Sequence, residues 1–99
     1  MWYVIEGFDG DGALARRGAA RAAHLARLVE LADRGRLLAA GPCPAIDAED
    51  PGPAGYSGSL VIARFDSLDD ARRWADADPY VAMGVYARVD VRPFRLVLP

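Results

Sequence analysis

Residues 59–91 are SLVIARFDSLDDARRWADADPYVAMGVYARVDV, and the order of elements in this stretch decides the fold class. Ser59 to Phe65 is rich in β-branched and apolar residues, which predicts a strand. Ser67 is a residue type that caps helices, and Asp70 follows three positions later in a weaker form of the capping box. The stretch therefore begins with a strand that leads into a capped helix.

The end of this helix and the strand after it are also marked in the sequence. Pro79 disfavours a helical conformation at Asp78, so the helix is predicted to end near Ala77. Val85 to Val91 alternates in polarity and is predicted to be a strand. Its two faces are Val85, Ala87, Val89 and Val91 on one side and Tyr86, Arg88 and Asp90 on the other.

The first half of the chain repeats this strand, helix and strand order. Residues 2–8 contain aromatic and β-branched side chains typical of a strand, and residues 9–12 are Asp-Gly-Asp-Gly, a turn sequence. Ala13 to Arg34 is predicted to be a helix with Gly35 as its C-terminal cap. Arg36 to Gly41 is predicted to be a short strand. The apolar stripe of the helix is predicted from Leu14, Leu25, Leu28, Val29 and Ala32.

Between the two halves lies Pro42 to Gly58, a segment with four prolines and three glycines. Its composition predicts an irregular excursion rather than an interdomain linker, because segments typical of a core flank it on both sides. A loop of this length in a small domain is more often functional than idle.

The resulting β-α-β-β-α-β order is that of the ferredoxin-like fold, an α+β fold with two helices on one face of a four-stranded antiparallel sheet. The length of 99 residues predicts a single domain, residues 1–99. In the first strand, Tyr3 and Ile5 face one way and Trp2, Val4 and Phe8 the other. Two helices cover only one face, so we expect a second copy to cover the other, sheet against sheet. A homodimer is therefore predicted, and a higher oligomer built from it is left open.

Composition excludes several classes of function. The net charge of −2 argues against nucleic acid or an anionic membrane as a partner. The chain contains no lysine, which excludes Schiff-base chemistry and a Walker A phosphate loop. It has no apolar run long enough to cross a membrane and no signal-peptide pattern, so we expect a cytoplasmic protein without membrane partners.

His24 is the single histidine and the only side chain that titrates near neutrality without help. The helical wheel places it roughly 70° from the centre of the predicted apolar stripe, on the same edge as Leu31 and Arg17. Arg21 lies on the same side, three residues earlier. A boundary histidine that hydrogen-bonds a backbone carbonyl would explain this position equally well.

Other kinds of site receive less support. A metal site is not expected, because there is no second histidine and no cysteine at ligand spacing. Cys43 lies between two prolines and lacks a helix N-terminus that would stabilise its thiolate. None of the three serines, Ser57, Ser59 and Ser67, lies in a Gly-x-Ser-x-Gly sequence.

A carboxylate is the better partner for His24, because it fixes the imidazole tautomer and raises the basicity of the other ring nitrogen. Asp78 stands out among the acidic residues, since it is held by Pro79 at the end of the second predicted helix, beside Tyr80. A simple role as a turn-forming residue remains open for Asp78.

The ordered set His24, Gly41-Pro42 and Asp78-Pro79-Tyr80 resembles the YCII-related (YciI-like) family. Several further runs match the same family. They are Arg21 to Leu28, Gly35 to Pro42, Gly58-Ser59, Trp74 to Tyr80, Gly84 to Tyr86 and Val91 to Phe94. The resemblance extends from Tyr3 to Phe94, which is essentially the whole chain.

The resemblance implies a ferredoxin-like fold that packs as a dimeric α+β barrel, a fold shared with muconolactone isomerases and cofactor-free small monooxygenases. It also implies an active site built on a His–Asp pair, which corresponds to His24 and Asp78. Some members of the family are associated with elimination of chloride from chlorinated hydroxyquinones.

These expectations combine into one mechanistic hypothesis, a cofactor-free lyase or isomerase. His24, oriented by Asp78, would remove a proton from a small substrate, while Arg21 or Arg17 would hold the developing oxyanion. Substrate contacts are also expected from Ser59, Tyr80, Gly41 and Pro42, and the loop 42–58 could close over the pocket. The alternatives are a non-catalytic ligand-binding or accessory module that uses the same pocket, and a purely structural dimer.

Overall fold

A computed structural model describes all residues 1–99. Its elements in chain order are β1 (Trp2–Asp9), α1 (Ala13–Asp33), β2 (Leu37–Pro44), a 3-10 turn (Gly52–Ala54), β3 (Tyr56–Arg64), α2 (Leu68–Asp76), α3 (Pro79–Ala82) and β4 (Tyr86–Phe94). The strands form one antiparallel sheet in the order β2-β3-β1-β4. The predicted ferredoxin-like class is confirmed.

The main core lies where α1 and α2 cover one face of the sheet. Ile5 of β1 pairs with Val61 of β3, and both side chains point toward the helices. The buried cluster consists of Tyr3, Ile5, Leu28, Leu31, Val61, Ala63, Phe65, Ala71 and Ala75. Burial of these side chains contributes most of the free energy that keeps both helices on the sheet.

The buried stripe of α1 differs from the predicted one. Leu14 and Val29 are 42% and 56% exposed, so they do not belong to the buried face. The residues that do are Ala13, Arg17, Ala20, His24, Leu28 and Leu31. Hydrophobicity alone misplaces the stripe because its first four residues are two alanines and two polar residues. His24 consequently lies in the middle of the buried face and not at its edge.

The predicted excursion Pro42–Gly58 is shorter in the structure. β2 continues through Pro44, and β3 already begins at Tyr56, which leaves residues 45–55 as the loop. Two prolines are tolerated in β2 because it is an edge strand, where the missing N–H groups cost no ladder hydrogen bond.

The alternation predicted for Val85–Val91 is broken by a register shift. Phe8 pairs with Arg88, but Asp9 pairs with Tyr86, so Ala87 is an extra residue in β4. This bulge turns Tyr86 toward the helices, opposite to the predicted face. The strand itself begins at Tyr86 and continues to Phe94.

The face of the sheet away from the helices mixes apolar and charged side chains. Val4 is only 8% exposed at its centre. The guanidinium of Arg64 lies 4.6 Å from the ring centre of Trp2, and that of Arg88 lies 4.1 Å from the ring centre of Phe8. These two rings remain partly exposed, and the partly buried apolar side chains between them have no cover.

The second helical region contains one element that was not predicted. Ser67 caps α2 as expected, by accepting a hydrogen bond from the backbone N–H of Asp70 at 3.0 Å. After α2 ends, the chain forms the one-turn helix α3, which starts at Pro79. None of the helices combines the length and the hydropathy that crossing a bilayer requires.

Candidate active site

His24 and Asp78 meet in the interior between α1 and α3. Nδ1 of His24 lies 2.9 Å from both Oδ1 and Oδ2 of Asp78. The two side chains are 8% and 6% exposed, so bulk water does not compete for this hydrogen bond. The fold thus brings together two residues that are 54 positions apart in the sequence.

Asp78 is held in place by its role at the start of α3. Its Oδ1 accepts a hydrogen bond from the backbone N–H of Tyr80 at 2.8 Å, which makes Asp78 the N-cap of that helix. Pro79 occupies the first helical position, where a proline costs no hydrogen bond. A single carboxylate therefore both caps α3 and pairs with His24.

The imidazole of His24 is also held by an aromatic ring. The ring of Tyr80 stacks on it with a centroid distance of 3.9 Å and an interplanar angle of 6°. Burial raises the pKa of the Tyr80 hydroxyl, although the charges of Arg17 and Arg21 act in the opposite direction. Tyr80 is thus a neutral phenol at physiological pH and restricts rotation of the imidazole.

Tyr86 supports Tyr80 from the sheet. The two rings meet edge to face, with centroids 5.3 Å apart. The ring of Tyr86 lies over Gly7, where a Cβ atom would be 2.5 Å from the ring carbons. Burial raises the pKa of Tyr86 to about 12, so this hydroxyl is also protonated near neutral pH.

A cavity of about 230 Å³ opens beside the free side of His24. Its lining residues are Arg17, Arg21, His24, Leu25, Leu28, Ala40, Gly41, Pro42, Ser59, Val61 and Tyr80. When Nδ1 of His24 donates its hydrogen to the Asp78 carboxylate, the lone pair of a neutral imidazole lies on Nε2. Nε2 has no hydrogen-bond partner in the protein and is available to a molecule in this cavity.

Arg17 is largely occupied by interactions within the protein. Its Nε and Nη2 donate to the two carboxylate oxygens of Asp9 at 2.7 and 2.8 Å, and Nη2 also donates to Ser59 Oγ at 3.0 Å and to the carbonyl of Gly58 at 3.1 Å. Burial lowers the pKa of Arg17, but the hydrogen bond and the charge of Asp9 outweigh this effect and raise it. Arg17 therefore stays charged, with only Nη1 free of a hydrogen bond.

Arg21 differs from Arg17 in that it is exposed and makes no ion pair or hydrogen bond in the protein. It lines the same cavity. Of the two arginines proposed from the sequence as oxyanion partners, Arg21 is thus the one with a free guanidinium.

The remaining sequence candidates separate into two groups. Ser59, Gly41 and Pro42 line the cavity. Cys43 is exposed and pairs with Gly58, one position along from the pair of Pro42 and Ser59, so its side chain lies on the opposite face of the sheet. A Cys–His nucleophilic pair is therefore excluded by geometry. No group of three or more His, Cys, Asp or Glu side chains is arranged to hold a metal ion.

Three residues of this region were not predicted from the sequence. Tyr3, Ile5 and Gly7 face the helices, and Asp9 is the next residue in this alternation. The alternation therefore predicts that Asp9 faces the helices, although it begins the Asp-Gly-Asp-Gly turn sequence. Arg27 is three residues after His24 on the same helical face, a spacing that brings side chains together. Tyr86 gave no usable signal, because the bulge reverses its side.

The sequence matches the YCII-related domain over residues 1–95. The chain belongs to the YCII-related family. It is 59% identical over 97 residues to the protein YciI of Escherichia coli O6:H1, an alignment that covers 98% of this chain and 99% of that protein. It is 54% identical, with the same coverage, to an uncharacterised protein of Haemophilus influenzae.

A solved structure extends the comparison from sequence to fold. This YCII-related chain superposes with a TM-score of 0.81 on 5-chloro-2-hydroxyhydroquinone dehydrochlorinase (TftG) from Burkholderia phenoliruptrix, in its complex with 2,5-dihydroxybenzoquinone. The two are 26% identical, and the match covers 96% of this chain and 94% of the dehydrochlorinase. The YCII-related fold of this chain is therefore one that also supports a lyase.

Proposed function

We propose that this protein is a cofactor-free lyase or isomerase that removes a proton from a small cyclic or enolisable substrate, with His24 as the general base. The observation that carries the proposal is the arrangement of the imidazole. Asp78 holds Nδ1 at 2.9 Å, while Nε2 is left without a partner beside the cavity. A neutral, oriented imidazole of this kind is suited to proton abstraction near neutral pH.

The proposed reaction is written for an elimination. Nε2 of His24 takes the proton from a carbon next to a carbonyl, and the C–H electron pair moves toward the carbonyl oxygen. Arg21 stabilises the oxyanion that forms, because its guanidinium is permanently charged and free of protein partners. The electron pair then returns to form a carbon–carbon double bond, and the carbon next to the deprotonated one loses its leaving group, such as chloride, with the electrons of that bond. The imidazolium of His24 then releases its proton to solvent.

The cavity limits the size of the substrate. Ligand pockets for drug-sized molecules usually have volumes of about 300–1,000 Å³, whereas this one has about 230 Å³. A single substituted ring therefore fits. The chemistry of the structurally similar dehydrochlorinase makes chlorinated hydroxyquinones and hydroxyquinols the first class to examine.

The site is tested with His24→Gln and Asp78→Asn. Chloride release from 5-chloro-2-hydroxyhydroquinone is measured, together with the ¹⁵N NMR signals of the single histidine, which distinguish the imidazole tautomers. We expect His24→Gln to lower kcat by about 10²–10⁴-fold, the usual contribution of a general base. Asn can still cap α3, so Asp78→Asn should disturb the tautomer without unfolding the helix.

Two outcomes would contradict the proposal. Full turnover by His24→Gln on a converted substrate would exclude the base assignment. Binding of 2,5-dihydroxybenzoquinone in this cavity, with no turnover of any chlorinated relative, would favour the alternative of a non-catalytic ligand-binding or accessory module. In that case affinity, but no rate, would depend on Arg21.

We further propose that the protein is a cytoplasmic single domain that works as a homodimer, sheet against sheet. Support comes from the uncovered face of the sheet, where Leu60 and Ile62 are only partly buried and no helix covers them. Analytical ultracentrifugation tests this, with Ile62→Arg as the variant that should dissociate the dimer. A wild-type monomer of 10.6 kDa at micromolar concentration would overturn it.

A further inference from the structure

Arg27 lies directly behind the His24–Asp78 pair. Its Nη1 is 4.0 Å from Oδ2 of Asp78, and it is the one buried side-chain nitrogen or oxygen in the structure without a hydrogen-bond partner. A buried polar group without a partner costs free energy, roughly 1–3 kcal/mol. Such a position needs an explanation in terms of what the group does there.

The rest of the Arg27 side chain is firmly anchored. Its Nη2 donates to the backbone carbonyl of Trp74 at 2.7 Å, and its guanidinium lies 4.3 Å from the ring centre of Trp74. The contact with Asp78 is therefore not a mobile surface ion pair. The guanidinium is fixed with one nitrogen directed at the buried carboxylate.

The charges around the pair show why Arg27 matters. Arg17 is neutralised by Asp9 at 2.7 Å, and Arg21 is exposed, so solvent screens it. The other titratable groups facing the pair are the neutral hydroxyls of Tyr80 and Tyr86. Arg27 is thus the only arginine with a nitrogen within 4.0 Å of the Asp78 carboxylate.

We propose that Arg27 is a positioning residue that keeps His24 neutral while Asp78 is ionised. A buried carboxylate needs a compensating charge. If Arg27 did not supply it, His24 would do so by taking a second proton, and its Nε2 would lose the lone pair that proton abstraction requires. Arg27 acts through Asp78 and does not reach the cavity beside Nε2. This inference rests on the proposed function but is tested without a substrate.

The test uses ¹⁵N NMR of His24 at neutral pH in the wild type and in Arg27→Met and Arg27→Lys. We expect the wild type to show the neutral Nδ1–H tautomer. Removal of a full charge near the pair should raise the ratio of imidazolium to neutral imidazole by about tenfold, by Coulomb's law at the effective dielectric of a protein interior. Arg27→Lys should restore most of the neutral form.

The matched control is Arg34→Met. Arg34 follows the last residue of the same helix, and its removal changes the net charge equally, but it pairs with the exposed carboxylate of Glu30 and not with Asp78. We expect no change at His24. If Arg34→Met and Arg27→Met gave the same spectrum, the effect would come from net charge and the proposal would be wrong.

A second variant covers the case in which Arg27→Met does not fold. Arg27 also lines a separate cavity of about 360 Å³ with Glu30, Leu31, Arg34, Arg36, Phe65 and Trp74. Arg27→Ala should therefore admit guanidinium ion at millimolar concentration, which should restore the neutral tautomer where sodium chloride does not. If His24 stayed neutral both in Arg27→Met and in Arg27→Ala without guanidinium, the proposed role of Arg27 would be wrong. A wild-type His24 with the hydrogen on Nε2 would instead overturn the proposed function.

Discussion

The N-terminal and C-terminal halves of α1 pack against the same sheet, but they bury different kinds of side chain. The C-terminal half buries Leu28 and Leu31 in the main core. The N-terminal half, defined as residues 13–24, buries Ala20, which is fully inaccessible, together with Arg17 and His24. One half thus stabilises the fold by apolar burial, and the other leaves space and supplies polar groups.

This difference explains where the cavity lies. Alanine does not fill the distance between helix and sheet, and the guanidinium of Arg17 and the imidazole of His24 occupy only part of the volume that remains. Polar side chains of this kind stay buried only when their hydrogen bonds are satisfied. The polar half of α1 is therefore expected to be the more sensitive one to loss of a partner.

The largest effect on stability is expected from Asp9→Ala. Arg17 and Asp9 form a buried ion pair, with side chains 9% and 5% exposed, and removal of one partner leaves an uncompensated charge. We expect a loss of about 3–5 kcal/mol in the free energy of unfolding, measured by urea denaturation. Asp11→Ala is the matched control, since Asp11 is an exposed carboxylate in the adjacent turn. If Asp9→Ala and Asp11→Ala lowered the free energy of unfolding equally, the buried ion pair would contribute no more than an exposed carboxylate does.

A somewhat smaller effect is expected in the apolar half, from Leu31→Ala. A cavity in the main core should cost about 2–5 kcal/mol, and Leu14→Ala, at a residue that is 42% exposed on the same helix, should cost far less. The ¹⁵N signals of His24 give a second measurement that distinguishes the two halves of α1. Leu31→Ala should leave the ¹⁵N signals of His24 unchanged, whereas Asp9→Ala should alter them. A change of His24 in both variants would mean that the two halves are not independent.

The contact between Gly7 and Tyr86 links the sheet to the polar half, and Gly7→Ala tests it. The added methyl group would lie 2.5 Å from ring carbons of Tyr86, and this ring is held against Tyr80. We expect a loss of about 1–3 kcal/mol from overpacking, and Tyr86→Leu in the same chain should recover part of it. Gly18→Ala is the control of opposite sign, because Gly18 has open space around it and alanine should stabilise a helix interior by about 0.5–1 kcal/mol.

The element order and the apolar core can be predicted from the sequence, whereas the buried polar residues of α1 and their partners are harder to predict. Strand alternation, the Ser67 cap and Gly35, which has a φ of 69° at the end of α1, are local signals, so they predict the element order directly. The buried face of α1 was misplaced because Arg17 and His24 read as boundary residues when hydrophobicity defines the core. Their burial depends on partners that only the tertiary fold supplies.

Partners distant in sequence mark the limit of prediction for the candidate site. The residues themselves single out His24 and Asp78, but only the family resemblance implies their pairing, because spacing gives no reason to pair them. Asp9 follows from period-two alternation once β1 is extended by one residue. The face of the sheet on which Tyr86 lies depends on the β4 bulge, and no residue in the sequence indicates that bulge.

The smallest effect is expected from Tyr86→Phe, and it appears mainly at high pH. Near neutrality the variant loses only the hydroxyl and its side-chain hydrogen bond with Ser59, which is worth about 0.5–1.5 kcal/mol. Burial raises the pKa of Tyr86 to about 12, above the value of about 10 in an unfolded chain. The native state therefore holds this proton more tightly than the unfolded state does.

The sign of the pH dependence follows from that difference. The stabilisation from the protonated Tyr86 is complete below a pH of about 10, the unfolded value, and is lost as the pH rises through the native value of about 12. Urea denaturation in this window should show the free energy of unfolding falling more steeply in the wild type than in Tyr86→Phe. Some slope should remain in the variant, because burial also raises the pKa of Tyr80. Identical slopes in the two proteins would mean that the Tyr86 hydroxyl is solvated, and that the polar half of α1 is open to water beside β4.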